Sequence, residues 1–109
     1  MPTLSGGPVD GFDWDAGNRE KCQKHGIPIA EIELLLTTAA KVAPDQKHSA
    51  TEERYLAVGR DSGGRAMFVA FTIRMKDGQR LIRPISARYM HRKEIEGYEK
   101  EEGSSIQDG

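Results

Sequence analysis

The stretch Ala66-Met67-Phe68-Val69-Ala70-Phe71-Thr72-Ile73 limits the folds open to this chain more than any other. It is apolar almost throughout and rich in strand-forming residues, and turn signals bound it on both sides: Asp61-Ser62-Gly63-Gly64 before, Lys76-Asp77-Gly78 after. Unbroken apolarity without alternation predicts a central strand covered on both faces. Flanking strands are expected over Arg54–Arg60 and from about Arg80 to Ala87, joined to the central one by the two turns. Pro84 lacks an N–H donor, so the last strand must either lie at an edge or bend there.

The segments around these strands read as helices and one or two short strands. Asp10–Asp15 alternates around Phe12 and Trp14 and predicts a first strand. Asp15 is the expected N-cap of a helix from about Gly17 to His25, with Gly26 following in the left-handed region. Pro28 opens a second helix, Ile29–Thr38, whose Ile29, Ile32, Leu35 and Leu36 form one apolar stripe. Lys41-Val42-Ala43 predicts a short strand, and 44–49 a loop. A charged helix closes the pattern, from about His91 to Glu101. Helices, then strands, then a helix indicate an α+β domain: N-terminal helices and a C-terminal helix on a small, mainly antiparallel, twisted sheet. The 109 residues suit a single domain. Residues 1–9 and 101–109 offer little to bury and are expected to be flexible ends.

Charge is distributed unevenly. Residues 54–93 hold ten Lys and Arg against Asp61 and Asp77, a net +8, while the whole chain is at −1. Such a block indicates a local surface for phosphate rather than general attraction to polyanions, although arginine can also decorate a solvent face. Cys22 is the only cysteine, which excludes an internal disulfide and a thiolate metal cluster. No apolar run approaches the roughly 20 residues of a membrane helix, and no secretory signal opens the chain. A cytoplasmic protein is therefore expected. There is no Gly-rich phosphate loop, nucleophile elbow or zinc spacing, so no metal or cofactor is implied.

Several short motifs, taken in order, resemble the BrnT family. They are Phe12-Asp13-Trp14-Asp15, Lys24-His25-Gly26-Ile27, Glu52-Glu53-Arg54-Tyr55, Val58-Gly59-Arg60, Phe71-Thr72 with Arg74, and Arg83-Pro84-Ile85-Ser86-Ala87-Arg88, followed by Glu94 and Tyr98. The resemblance spans roughly residues 12–100. It departs at Pro84, where an aliphatic residue is usual, and at Ile73 and Met75, where relatives are more polar. It implies a RelE-like fold, a ribonuclease that acts as the toxin of a type II toxin–antitoxin system, and an inhibited complex with a BrnA-like antitoxin carrying a ribbon-helix-helix DNA-binding region, in which toxin pairs can form.

RNA cleavage of this kind needs no metal. The substrate's 2′-hydroxyl attacks the adjacent phosphorus, and the enzyme moves two protons and stabilises the phosphoryl oxygens, a task suited to the arginine fork. The expected catalytic set is Arg60, Arg74 and Arg88, meeting at one cavity sized for a single phosphodiester, with His25 as acid or base. Lys24, Arg54, Arg83 and Tyr98 are the expected substrate-binding residues. Arg54 and Arg60 share a strand face; Arg83 and Arg88, five apart, share one only if a bulge intervenes at Pro84. For several of these a structural role fits as well: helix capping for His25, ion pairing with Glu53 or Glu94 for Arg54 and Arg88, and packing of the last helix for Tyr98. Glu94 suits either a base or a partner that orients an arginine. His48 and His91 are expected to play no chemical part. A noncatalytic module that binds nucleic acid or protein through the same basic sheet is the competing function.

Overall fold

The computed structural model describes residues 3–4, 7–38, 41–45 and 53–108, with side chains described from Val9 to Glu101 within those ranges. His48, Glu52 and most of the expected 44–49 loop lie outside the described residues. The elements in order are β1 (Thr3–Leu4), β2 (Gly7–Pro8), β3 (Gly11–Phe12), α1 (Ala16–Gln23), α2 (Ile29–Thr37), β4 (Lys41–Pro44), β5 (Arg54–Arg60), β6 (Ala66–Lys76), β7 (Gln79–Tyr89) and α3 (Arg92–Asp108). Strands β3-β7-β6-β5-β4 form one five-stranded sheet, and β1 and β2 pair separately. Every neighbour in the larger sheet is antiparallel except β3 against β7. The α+β architecture and mainly antiparallel sheet are therefore as expected.

Local chemistry explains the boundaries. Asp15 caps α1 by accepting from the Asn18 N–H at 3.0 Å, and the Asn18 side-chain oxygen accepts from the Asp15 N–H at 2.7 Å, completing a capping box. After α1 the chain reverses at Gly26, whose φ of +83° suits glycine. Asp77 and Gly78, with φ of 51° and 78°, make the two-residue turn between β6 and β7. The β5–β6 turn is held by Asp61, which accepts from the Gly63 and Arg65 N–H groups and from the Tyr89 hydroxyl, each at 2.9 Å.

β6 is central, as expected, but it is not covered on both faces. Met67, Val69 and Phe71 are fully buried beside Cys22 of α1 and Ile32, Leu35 and Leu36 of α2. One residue over, Phe68 and Ala70 face the other way and stay half-exposed. The helices α1 and α2 cover a single face, α1 chiefly against β7 and α2 against β5. α3 meets the sheet through charged and aromatic side chains rather than an apolar stripe: Glu94 pairs with Arg88, Glu99 with Arg60, and Tyr98 lies under Arg60.

Pro84 does not sit on an edge strand, because β7 lies between β3 and β6. The bent alternative holds. Ala70 pairs with Ser86 and Phe71 with Pro84, so Ile85 is an extra residue and the register shifts there. β3 ends at Phe12, and the Pro84 carbonyl instead accepts from the buried Asn18 amide at 2.9 Å; the same amide donates to the Asp13 carbonyl at 2.9 Å.

Two expectations about the ends need correction. Val9, assigned to the N-terminal arm, is only 3% exposed and belongs to the core, because 9–13 runs along β7 with Asp10 and Asp13 N–H groups bonded to the carbonyls of Arg80 and Ile82. The last helix continues to Asp108 rather than stopping near Glu101. No helix among the described residues is long and apolar enough to cross a membrane.

Candidate active site

The register sets out the open face as a ladder of cross-strand rungs. Val58, Phe68 and Arg88 form one, Leu56, Ala70 and Ser86 the next, and Arg54, Thr72 and Arg83 the third. Arg60 stands beside Ala66 at one end and Arg74 beside Leu81 at the other. The bulge at Ile85 shifts β7 by one residue, so Arg83 and Arg88 share this face despite being five apart. Five arginines therefore project from one side of the sheet.

They do not all meet. Arg60 and Arg74 stand eight β6 positions apart, about 26 Å at some 3.3 Å per residue. The expectation that Arg60, Arg74 and Arg88 would surround one phosphodiester is thus corrected: strand geometry spreads them along the face. The residues that do come together are His25, Arg54, Arg88 and Glu94, around a cleft of about 490 Å³ floored by Leu56, Phe68 and Ala70. Asp45 and Ser86 also line it. Arg74 and Arg83 line an adjoining cleft of about 230 Å³ with Lys21 and Thr72, and Arg54 lines both.

Arg88 is held on several sides. Its Nη1 and Nη2 donate to the two Glu94 carboxylate oxygens at 2.9 and 2.8 Å, and Nη1 also donates to the Tyr89 carbonyl at 3.2 Å. Its guanidinium lies 4.7 Å from the Phe68 ring centroid. Among the described residues these bonds use three of its five N–H donors, leaving Nε and the second Nη2 hydrogen for a ligand. Glu94 also accepts from the His91 N–H at 2.8 Å, which ties it to the first turn of α3. The Arg88 hydrogen bond, with that backbone contact, lowers Glu94 to about 2. Glu94 is therefore ionised at neutral pH, has no proton to give, and acts on Arg88 by orienting it.

His25 stands just beyond α1, exposed, where the Gly26 turn swings it to the cleft wall. That placement puts a side chain able to give or take a proton at the edge of the cleft. Lys24, one residue earlier, is exposed and lines neither cleft. Arg60 donates to the Gly64 carbonyl at 2.9 Å, pairs with Glu99 at 3.6 Å and lies 5.4 Å from the Tyr98 centroid. Tyr98 thus serves that end of the face rather than the clefts. Arg83 is held by Asp15 at 2.8 Å and Asp13 at 3.5 Å. The Asn18 N–H and then Arg83 hold the Asp15 carboxyl below its ordinary range. Burial pushes the Cys22 thiol up to about 11, which makes it a core residue and no nucleophile.

Sequence reasoning missed the floor (Leu56, Phe68, Ala70) and the wall residue Lys21. The two-residue period of β5 and β6 contained the floor, since Leu56 is in phase with Arg54, but only the pairing register brings Phe68 and Ala70 alongside.

The sequence model of a family described as "Ribonuclease toxin, BrnT, of type II toxin-antitoxin system" matches residues 14–94. No curated protein matches the chain. The matched span runs from Trp14 to Glu94 and contains every residue that lines the two clefts.

Proposed function

Because this chain belongs to the BrnT family of type II toxin–antitoxin ribonuclease toxins, we propose that it cleaves RNA by internal transesterification in the His25–Arg54–Arg88 cleft, without a metal ion. The observation that carries this reading is the pairing of an apolar floor with cations at its rim. Leu56, Phe68 and Ala70 accept the face of an unstacked base, while Arg54 and Arg88 stand where a phosphate would lie. The substrate's 2′-oxygen attacks phosphorus as its proton leaves, the bond to the 5′-oxygen breaks, and that oxygen takes up a proton. The products are a 2′,3′-cyclic phosphate and a 5′-hydroxyl. Arg88, oriented by Glu94 and by Phe68, stabilises charge on the phosphoryl oxygens, and His25 carries one of the two proton transfers.

RNA cleavage in turn blocks translation, and the chain works in the cytoplasm. A BrnA-like antitoxin with a ribbon-helix-helix region neutralises it by covering the open face, in a complex that can hold toxin pairs. The α+β order of elements is compatible with a RelE-like fold.

The test is cleavage of single-stranded RNA by the purified chain in excess chelator, with the ends identified chemically. Cyclic phosphate ends are expected, and Arg88→Ala should lower kcat by roughly 10²–10³ while the fold is retained. An intact wild-type protein that binds RNA but never cleaves it would leave the noncatalytic binding module as the function.

A further inference from the structure

The open face does not end at the cleft. Beyond Arg54 lies the second recess of about 230 Å³, walled by Lys21 on α1 and by Arg74 and Arg83 on the sheet. The two recesses differ in chemistry. The first has an apolar floor and two carboxylates, Asp45 and Glu94, among its lining. The second is lined by Lys21, Arg54, Arg74 and Arg83, and no lining residue is acidic. Its polar floor is Thr72, two residues along β6 from Ala70 in the first floor, so the two floors adjoin, about 7 Å apart along the strand at these residues.

We propose that this second recess is a subsite for the phosphodiester backbone of the same RNA strand, one or more nucleotides beyond the linkage being cleaved; the proposal rests on the reading of the first cleft as the cleavage site. A ligand that crosses both recesses passes over Arg54, which lines each of them. It must therefore carry repeated negative charge on a narrow chain, with a planar apolar group that packs on the sheet at the first position. A single-stranded oligonucleotide has that pattern. The bulge at Ile85 is what builds the subsite, because it turns Arg83 onto the face that carries Arg88. Asp13 and Asp15 then hold the Arg83 guanidinium in place from the start of α1, and Lys21, six residues beyond Asp15 on the same helix, closes the wall.

Lys21 is the residue to probe, since it is exposed on α1 and stands apart from the cleavage groups. The ligand is a single-stranded oligonucleotide, made cleavable by one ribonucleotide or non-cleavable by 2′-deoxy substitution at that position. Oligonucleotides extended on one side of the linkage should show a lower KM than a dinucleotide with the same linkage, at similar kcat. Lys21→Gln should raise KM for the extended substrate about 3- to 10-fold and leave the dinucleotide unchanged. It should also reduce the salt slope for binding the non-cleavable oligonucleotide by about 0.7, the value for one phosphate on a single strand. Lys21→Glu should do more, Lys21→Arg should restore the wild-type slope, and Arg19→Gln, at a side chain that lies over the Trp14 ring and lines neither recess, should leave it alone. An unchanged slope in Lys21→Gln overturns the subsite whether or not the protein cleaves RNA. A reduced slope in a protein that cleaves nothing keeps the subsite as a nucleic-acid groove and removes the ribonuclease reading instead.

Discussion

The two faces of the central sheet are made from the same strands one residue out of phase, yet they differ in almost everything. Met67, Val69 and Phe71 are at 0% exposure, packed against Cys22 and the stripe of α2. Between them Phe68 and Ala70 look outward, half-covered, into a face that carries Arg54, Arg60, Arg74, Arg83 and Arg88. On the closed face an apolar side chain stabilises the fold. On the open face a similar side chain supports a cation or leaves room for a ligand. Apolarity alone therefore does not say which job a residue has; the identity of its cross-strand partners does.

The strongest way to break that comparison is to truncate the same residue type on each face. Phe71→Ala opens a cavity beneath α1 and α2 and should destabilise the protein by about 3–5 kcal/mol. For a domain of this size that lowers Tm by roughly 15–30 °C. Phe68→Ala should cost under about 2 kcal/mol, because the ring is already part-exposed, but should lower kcat about 10-fold by removing the surface on which Arg88 rests. Thermal melts and initial rates on the two variants decide the matter. Equal loss of stability from both would mean that the open face is a second core.

That contrast also explains how much of the fold and of the site is legible in the sequence. The hairpin strands, the Asp15 cap, the Gly26 turn and the apolar stripe of α2 were legible because each depends on residues near one another in sequence. The second face of β6 is misread from sequence because a run that is apolar from Ala66 to Phe71 looks the same whether helices cover both sides or one. Arg88 and His25 were legible as candidates, but their meeting place was not: it depends on a bulge that moves Arg83 and Arg88 onto one face and on a turn that carries His25 to the wall. Arg60 and Arg74 were grouped with them because spacing within strands reveals a shared face but not separation along it. Val9 was set aside with a Gly- and Pro-rich arm because local composition hides the bonds that 9–13 makes to β7.

Asn18 joins the two faces, and its replacement sharpens the comparison. The amide satisfies the Asp13 and Pro84 carbonyls from the buried side, and the Pro84 carbonyl belongs to the bulge that arranges the arginines on the open side. Asn18→Ala leaves both carbonyls without that donor and removes half of the capping box. A loss of about 1–3 kcal/mol is expected. Unlike Phe71→Ala, it should also weaken binding of non-cleavable oligonucleotides under conditions where the protein remains folded. Unaltered affinity in the folded variant would separate the bulge from the groove.

The smallest effect expected is the pH response of the Arg88–Glu94 pair, which lies wholly on the open face. Glu94 falls from an ordinary 4.5 to about 2 in the folded chain, with the Arg88 hydrogen bond as the main cause. A carboxyl lowered in this way stabilises the fold fully above its unfolded value and loses that contribution as pH drops from about 4.5 towards 2. Both side chains are about a third exposed, 40% for Arg88 and 32% for Glu94. Water screens such a pair, so it is worth at most about 1 kcal/mol. The stability difference between wild type and Glu94→Gln should then be constant from pH 6 to 8 and vanish near pH 2, in denaturant titrations at each pH. Activity should tell the faces apart: at neutral pH Glu94→Gln releases Arg88 from its fixed orientation and lowers kcat far more than its stability cost would suggest. A variant with wild-type kcat at neutral pH would mean that Arg88 needs no partner on α3, and that the Phe68 ring alone sets its position.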